Sequence, residues 1–468
     1  MELADSILEL DRSIAVVLAI TIAALLIIDL RRGAIRAVTG RNVALATIAF
    51  WYLLEALVLS REVRLYNQAA YNWAIALVAL GTAAFLTGYY LMPGNLFRDF
   101  GSRLERLEDP KTTSRILFLG MAIGFLPLLI IARFDVWEVF SSAFQFGKRW
   151  SGSFTRGRYG GIQDAFLELT MFLKASIPLA VIVAFNKKQT STLRCVATAF
   201  IIWMFMSALT TWTRSALLPV ILPVCAAAFF LSPDRRRSTL LYLGVPFLIL
   251  VGLWWSAWSV ENRGKREMTL STKVEAEYVG YEMFQEMMFL ANTVPEYYDF
   301  EFGSTYFAQI VNPIPRFLWP SKPSSDAGLK LAVLRNEIDV NTGEAYLTRS
   351  PGVFGEMYWN FGIPGILFIS FMYGWIVKSW DVIWQNSEKT LVRFVIFSAG
   401  LAVIFLTGRS FAMPIYYGMI SFYALLVILG RGRSARPGRA KPSDPAGVTH
   451  HAGVHQAVTN KSNLVPRR

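Results

Sequence analysis

Long apolar stretches alternate along the chain with short connections that carry most of the charged and turn-forming residues. Each apolar stretch is roughly 20 residues long, the length that a helix needs to cross a bilayer. The pattern therefore predicts an all-α, polytopic integral membrane protein with about 11 transmembrane helices. The predicted spans are residues 13–30, 43–59, 71–92, 114–132, 166–185, 195–213, 215–231, 239–258, 359–377, 391–407 and 411–429.

Composition agrees with this prediction. Of the 468 residues, 54% are hydrophobic and only 17% are charged, and the mean hydropathy is +0.41. Soluble chains carry about a quarter charged residues, so a soluble enzyme, a disordered scaffold and a disulfide-stapled secreted domain are excluded. The histidines are His450, His451 and His455, all in the C-terminal tail. The membrane body therefore offers no imidazole to a metal, a haem or a catalytic triad, and we expect no metal and no cofactor.

Lysine and arginine are concentrated in alternate short connections, which in membrane proteins are the cytoplasmic ones. This asymmetry predicts a cytoplasmic C-terminus and two extracytoplasmic loops. It also explains the net charge of +13 without a nucleic-acid partner. The predicted order is helices 1–4 in residues 1–132, a basic loop in 133–165, helices 5–8 in 166–258, a large loop in 259–350, helices 9–11 in 351–430 and a disordered cytoplasmic tail in 431–468.

No predicted cytoplasmic connection is long enough to fold into a nucleotide-binding domain. The sequence also lacks the glycine-rich phosphate loops and the DxD pair that bind nucleotides. If the protein is an enzyme, we expect catalysis on the outer face, with a substrate that was activated before it arrived there.

The smaller outer loop contains FQFGKRWSGSFTRGRYGG, in which cations alternate with aromatic residues and glycines. Arginine binds phosphate and carboxylate oxygens in pairs, and aromatic faces pack on the apolar faces of flat ligands such as sugar rings. The loop suits an anionic, sugar-bearing ligand, and an equally open alternative is contact with lipid headgroups. The candidate glycan-binding residues are Arg149, Trp150, Arg156, Arg158 and Tyr159.

Three further segments carry the most specific patterns. They are GSTYFAQIVNPIPRFLWPSKP at 303–323, RSPGVFGEMYWNFGIPG at 349–365 and TWTRSALLPVILP at 211–223. Within them, the PRxxWPxKP and GExYxNFG patterns resemble those of the oligosaccharide repeat-unit polymerases, the O-antigen and exopolysaccharide polymerases of bacterial envelopes. The stretch that ends in Arg214 is a weaker match. The motif-level likeness covers about 80 residues of the chain.

This resemblance implies glycosidic-bond formation at the outer face of the bacterial inner membrane, as in lipopolysaccharide biosynthesis. A chain carried on undecaprenyl pyrophosphate would be transferred to the terminal sugar of a fresh lipid-linked repeat unit. The implied partners are polyprenyl-pyrophosphate-linked oligosaccharides, membrane lipids, a flippase and a chain-length regulator. Such a transfer needs cations to stabilise the leaving pyrophosphate and a carboxylate to deprotonate the acceptor hydroxyl.

On this basis the predicted catalytic residues are Glu356 and Arg316. The predicted pyrophosphate-binding residues are Arg214, Arg409, Lys322 and Arg263. Alternatives remain for several of them. Glu356 can instead pair with Arg316 or cap the ninth span, and an arginine at the end of a span can simply reach the membrane interface.

Other carboxylates are candidate bases or structural groups. Glu282 and Glu286 lie one turn apart on a predicted amphipathic helix, where a solvated face is the favoured interpretation, and Glu344 is a further candidate base. Within the predicted spans, we expect Glu55 to form an ion pair with Lys174. The same intramembrane charges would serve a transporter or flippase of lipid-linked oligosaccharide, which is the main alternative function. A glycan ligase is the other, although such enzymes typically use an outer-loop histidine.

Overall fold

The computed structural model describes most of the predicted membrane body, and the chain divides into one compact unit, Met1–Leu429, and a C-terminal segment, Gly430–Arg468. The predicted tail, 431–468, lies outside the described residues. These are 12–33, 37–58, 67–145, 166–210, 214–233, 236, 239–244, 283–312, 314, 318–323, 327–336, 349–385, 388–411 and 413–430.

Most of the described residues are helical, and no strand is among them. In the first half of the chain the helices are α1 (Ser13–Arg31), α2 (Gly40–Val58), α3 (Gln68–Leu91), α4 (Arg98–Leu104), α5 (Pro110–Ile131), α6 (Val136–Ser142), α7 (Phe166–Phe185), α8 (Ser191–Thr210) and α9 (Arg214–Leu231). In the second half they are α10 (Met283–Thr293), α11 (Ser304–Val311), α12 (Ala327–Leu334), α13 (Gly352–Gln385), α14 (Leu391–Thr407) and α15 (Met413–Gly430).

Seven described helices are long and apolar enough to cross a membrane, namely α1, α2, α3, α5, α7, α8 and α13. Apolar segments of α9, α14 and α15 are shorter. The predicted all-helical fold is therefore confirmed, and the set of apolar helices is that of a multi-pass membrane protein. The total of about 11 spans stays a prediction, because most of the predicted span 239–258 lies outside the described residues.

Helices α3 and α13 form the most extensive helix–helix contact of the described residues, and glycines make it possible. A Cβ atom on Gly88 would lie 2.0 Å from the carbonyl oxygen of Phe371, and one on Gly374 would lie 2.0 Å from that of Phe85. The two backbones therefore touch directly, as in the small-residue interfaces of membrane helices. The Trp375 indole fixes the end of this contact by donating a hydrogen bond of 2.7 Å to the carbonyl oxygen of Pro93.

Helix α13 is broken at Gly362, whose φ of 63° and ψ of −145° are not helical. A Cβ on Gly365 would lie 2.4 Å from the carbonyl oxygen of Met357, whereas residues eight apart in a straight helix are separated by about 12 Å along the axis. The Ser370 hydroxyl likewise lies 3.1 Å from the Met357 sulfur. The chain therefore folds back at Gly362, between a short arm, residues 352–361, and a long arm, residues 363–385.

This break changes the position of the GExYxNFG motif. The sequence places the motif at the start of the ninth span, but the motif forms the short arm and ends at the break. Gly362 can adopt the positive φ because it has no Cβ. The long arm then continues alone as the apolar helix.

A buried carboxylate joins the far end of the long arm to α2. Asp381 is fully buried, and its carboxylate accepts hydrogen bonds from the backbone N–H of Gly40 at 2.5 Å and of Arg41 at 3.3 Å, and from the Tyr89 hydroxyl at 2.8 Å. The first two donors belong to the N-terminus of α2, where a negative charge is favourable. Beside it, Arg41 forms an ion pair with Asp29 of α1. We call this region of the bundle the Asp381 end.

The glycine contact between α3 and α13 generates a stability prediction. We expect Gly88→Ala and Gly374→Ala each to lower the free energy of unfolding by about 1–3 kcal/mol, because the new methyl group must push two backbones apart. Thermal unfolding in detergent, followed by size-exclusion chromatography, measures the change.

Gly101→Ala in α4 is the matched control, because a Cβ there meets no atom within 4 Å. Replacing a helical glycine by alanine where the added methyl group meets no atom is neutral or stabilising. Equal melting temperatures for Gly88→Ala, Gly374→Ala and Gly101→Ala would contradict the close approach of the two helices.

Candidate active site

Glu356 lies on the short arm and is fully buried. One carboxylate oxygen, Oε2, accepts hydrogen bonds from the backbone N–H of Phe411 at 3.0 Å and the Ser410 hydroxyl at 3.1 Å. The other oxygen, Oε1, lies 3.5 Å from the Thr305 hydroxyl. The carboxylate thus joins the short arm, the start of α11 and the turn after α14. It does not act as the cap of the membrane-spanning long arm, because the break at Gly362 separates the two.

Asn360 strengthens the same junction and is also fully buried. Its side-chain amide donates hydrogen bonds to the Thr305 hydroxyl at 2.7 Å and to the carbonyl oxygen of Glu356 at 2.8 Å. Its amide oxygen accepts one from the backbone N–H of Gly303 at 3.1 Å. The motif residues Glu356 and Asn360, one helical turn apart, therefore hold α11 against the short arm together.

Arg409 lies on the turn that Glu356 holds. We call residues 407–411 the Arg409 turn. The carbonyl oxygen of Gly408 accepts a hydrogen bond from the Val353 N–H at 3.1 Å, and that of Arg409 accepts one from the Ser350 hydroxyl at 2.7 Å. The turn is fixed on both sides, and the half-buried Arg409 side chain is carried on it. The structure therefore brings together two residues that the sequence nominates separately, Glu356 and Arg409.

Tyrosines surround the Glu356 carboxylate. The Tyr52 hydroxyl accepts a hydrogen bond of 3.0 Å from the Phe354 N–H, and the hydroxyls of Tyr416 and Thr407 are 2.8 Å apart. Tyr306 of α11 is close enough to the carboxylate to interact electrostatically with it. Burial, and then the negative charge of Glu356, raise the pKa of Tyr306 well above its ordinary value, so this residue is a neutral hydrogen-bond donor at physiological pH.

A second carboxylate cluster lies before the short arm. Glu286 of α10 is fully buried and forms ion pairs with Arg349 at 2.7 Å and with Arg335 at 3.0 Å. The Arg335 guanidinium also lies 4.6 Å from the ring centroid of Phe289. The predicted solvated position of Glu286 is therefore wrong. Helical periodicity does not reveal that Arg335, directly after α12, and Arg349 supply two cations to that face.

An open depression of about 430 Å³ adjoins this cluster. Arg335 belongs to both, so the depression is in direct contact with the Glu286 ion pairs. Three of its seven lining residues are aromatic, and the Tyr297 side chain is largely exposed. The lining residues are Phe289, Thr293, Tyr297, Tyr298, Leu334, Arg335 and Asn336.

Glu55 binds backbone N–H groups at the start of α10. Its Oε2 accepts hydrogen bonds from the backbone N–H groups of Phe284 at 3.0 Å and Gln285 at 3.3 Å. A carboxylate at this place satisfies N–H groups that have no partner within the helix. The sequence alone, which predicts an ion pair with Lys174, does not reveal this contact with a helix more than two hundred residues away.

Lys322 is buried within the WPSKP segment. Its ammonium donates hydrogen bonds of 2.7 Å to the carbonyl oxygens of Asn312 and Ile314. These contacts hold the proline-rich segment against the end of α11, and the Asn312 amide in turn donates to the Tyr417 hydroxyl at 2.8 Å. They give Lys322 a structural role, and its predicted pyrophosphate contact stays a prediction.

The remaining candidates are not placed by the structure. The side chain of Arg214, at the first residue of α9, lies outside the described residues, and so do Glu282 and Glu344. The same holds for Arg316, Arg263, Arg149, Trp150, Arg156, Arg158 and Tyr159.

Sequence reasoning missed five residues of these clusters. Arg349 is the first residue of the quoted 349–365 segment, and Thr305 and Tyr306 stand within the quoted 303–323 segment, so the motif segments themselves were a signal for these three. Arg335 and Ser410 lie outside both of these motif segments, so no comparable sequence pattern points to them. Within the described part of the chain, no group of three or more His, Cys, Asp or Glu side chains could hold a metal ion.

The Glu286 cluster generates a second stability prediction. We expect Glu286→Gln to lower the free energy of unfolding by about 3–5 kcal/mol, because two largely buried arginines lose their shared counter-charge. The melting temperature in detergent should fall accordingly.

The Glu301–Lys330 pair provides the control. It has an N–O distance of 2.8 Å, but its side chains are 23% and 33% exposed. Lys330→Gln should therefore change stability by less than about 1 kcal/mol. If Glu286→Gln and Lys330→Gln changed the free energy of unfolding equally little, the ion pairs of Glu286 would not stabilise the fold appreciably.

Comparisons with protein-family models, with curated proteins and with solved structures found no match to this chain. They neither support nor oppose the family resemblance that the motifs carry. The case for a function therefore depends on the residues and contacts described above.

Proposed function

We propose that the protein is a metal-independent membrane glycosyltransferase that polymerises oligosaccharide repeat units carried on undecaprenyl pyrophosphate, as an O-antigen or exopolysaccharide polymerase does. The observation that carries the proposal is the attachment of the Arg409 turn to the buried carboxylate of Glu356. In the proposal, the Arg409 side chain that this turn carries binds a phosphate group, and the Glu356 carboxylate takes a hydroxyl proton. Both residue types are those that the transfer needs.

The proposed reaction forms one bond and breaks one. A hydroxyl oxygen on the fresh repeat unit attacks the anomeric carbon of the growing chain. The bond from that carbon to the pyrophosphate oxygen breaks, and the electron pair leaves with the lipid pyrophosphate. Arg409, together with Arg316, stabilises the negative charge that develops there, and Arg214, Lys322 and Arg263 are the further cations of the proposal.

In this reaction Glu356 is the base that takes the proton of the acceptor hydroxyl. Its side chain is fully buried, so the acceptor reaches it by replacing one of the present partners. Thr305 is buried, whereas Ser410 is half-buried on the Arg409 turn. The acceptor hydroxyl therefore takes the place of the Ser410 hydroxyl, and the short arm need not move.

The depression beside Arg335 suits the saccharide. Aromatic faces pack against the apolar faces of sugar rings, and Asn336 and Thr293 offer hydrogen bonds to their hydroxyls. The depression is joined to the Glu356 region by residues 349 and 350, since Arg349 binds Glu286 and Ser350 binds the Arg409 turn. In the proposal, the basic loop with Arg149, Trp150, Arg156, Arg158 and Tyr159 adds further contacts to the glycan.

The proposed location is the bacterial inner membrane, with the Asp381 end and the C-terminus in the cytoplasm. The Glu356 region then faces the periplasm, where lipid-linked units are delivered. Two observations support this orientation. The basic residues of the sequence concentrate in the connections on the Asp381 side, and the long arm runs from Gly362 to the cluster around Asp381. A flippase and a chain-length regulator are the proposed protein partners.

The first functional prediction concerns Glu356 and is measured with purified protein in liposomes that contain a defined undecaprenyl-pyrophosphate oligosaccharide. The wild-type protein should produce a ladder of chain lengths on a gel. Glu356→Gln should abolish the ladder, because the amide accepts no proton, and should leave single lipid-linked units intact. Arg316→Ala should have the same effect.

Ser410→Ala is the matched control, because it removes a hydrogen bond to Glu356 and leaves the carboxylate. It should retain most of the wild-type rate. An equal loss in Glu356→Gln and Ser410→Ala would show that Glu356 only holds the Arg409 turn. Normal ladders from both Glu356→Gln and Arg316→Ala would overturn the assigned roles of these two residues.

The second prediction concerns Arg409. Arg409→Ala should reduce the polymerisation rate by about two orders of magnitude, since removal of one group that stabilises the developing charge has a cost of this size. Arg409→Lys should be intermediate, because an ammonium keeps the charge but not the paired donors. A transporter or flippase would behave differently, since its variants would fail to deliver units to the outer leaflet instead of accumulating unpolymerised units there.

A further inference from the structure

The ring of Tyr306 is held in a fixed position beside the Glu356 carboxylate. It stacks on Phe361, the last residue of the short arm, with ring centroids 6.3 Å apart and an interplanar angle of 18°. It meets Phe411 of the Arg409 turn edge to face, at 6.1 Å and 72°. Two aromatic contacts on different elements therefore determine where the hydroxyl lies.

The hydroxyl of Tyr306 is buried and has no hydrogen-bond partner within the described part of the chain. Other tyrosine hydroxyls around the short arm are satisfied. Tyr358 donates a hydrogen bond of 3.0 Å to the carbonyl oxygen of Val294, and Tyr52 accepts one from the Phe354 N–H. A buried polar group without a partner is costly, and phenylalanine would pack as well between Phe361 and Phe411.

The Tyr306 hydroxyl keeps its proton, because its pKa is raised. A neutral tyrosine hydroxyl can donate one hydrogen bond and accept others, so it can donate to an acceptor that a ligand supplies. The Glu356 oxygens are engaged by Ser410, Phe411 and Thr305. A phosphate oxygen is a strong acceptor, and the Arg409 turn that packs on the ring also carries the proposed phosphate-binding cation.

We infer that the Tyr306 hydroxyl binds the lipid-linked donor, donating a hydrogen bond to an oxygen of its pyrophosphate next to Arg409. The inference rests on the proposed function and names a further substrate-binding residue of the same site. It assigns the unsatisfied hydroxyl a partner that arrives with the substrate. Tyr306 would thereby lock the pyrophosphate in place while the bond to the anomeric carbon breaks.

The test compares Tyr306→Phe with Tyr358→Phe in purified full-length protein. The probe is farnesyl pyrophosphate, a short isoprenoid pyrophosphate without sugar, and binding is measured by calorimetry in detergent. Tyr306→Phe should weaken binding about tenfold or more, the effect of losing a hydrogen bond to a charged group, and should not lower the melting temperature. Tyr358→Phe should lower the melting temperature, since it removes a satisfied hydrogen bond, and should leave the affinity unchanged.

Farnesol, which lacks the pyrophosphate, separates the headgroup from the lipid chain. Its affinity should be the same for the wild-type protein and for Tyr306→Phe. Unchanged farnesyl pyrophosphate affinity in Tyr306→Phe would overturn the inference, and so would an equal loss for both ligands. A defect confined to the KM of the acceptor oligosaccharide would assign the hydroxyl to a sugar oxygen instead and would overturn it as well.

The outcome is separable from that of the proposed function. If the wild-type protein gives no ladder and yet binds farnesyl pyrophosphate through Tyr306, the polymerase proposal fails and the headgroup site stands. If ladders form and Tyr306→Phe binds the probe normally, the polymerase proposal stands and the assignment of Tyr306 to the headgroup fails.

Discussion

The structure depends on the requirement that a carboxylate buried in an apolar bundle must receive hydrogen bonds or a counter-charge. Removing an ion from water costs several kcal/mol unless donors replace the lost hydration. Glu55, Glu286, Glu356 and Asp381 meet this requirement in different ways. Glu286 binds two arginines, whereas the other three accept backbone N–H groups of another element. Each of these contacts therefore fixes the position of one segment against another.

The break at Gly362 gives these contacts their geometry. Because the long arm packs directly on α3 through Gly88 and Gly374, its position in the bundle is set, and the fold-back then places the short arm beside it. Glu356 and the Arg409 turn meet on that arm. The result is a polar region built from the short arm, α11 and the end of α14, enclosed by helices that are apolar over most of their length.

In our proposal, this arrangement supplies acid–base and anion-binding groups to a membrane body without histidine. Near Glu356, carboxylate, hydroxyl and amide groups meet where the break at Gly362 and the Arg409 turn interrupt the helices. Tyr306 differs from its neighbours there, since its hydroxyl has a fixed position and no partner within the described residues. In our proposal, the pyrophosphate of the substrate accepts the hydrogen bond that the Tyr306 hydroxyl can donate.

Hydropathy and its periodicity by themselves determined the all-helical class and the approximate course of the membrane segments, because the length of an apolar helix is a local property. The GExYxNFG pattern also identified a segment that became part of the candidate site. The tertiary structure alone decided that Gly362 folds the motif back on the long arm, that Glu286 is buried, and which groups satisfy each carboxylate. Glu55 and its donor Phe284, for example, are 229 positions apart. No pattern within a single segment encodes such a partner, because the energy that selects it arises only when the helices pack and water is excluded.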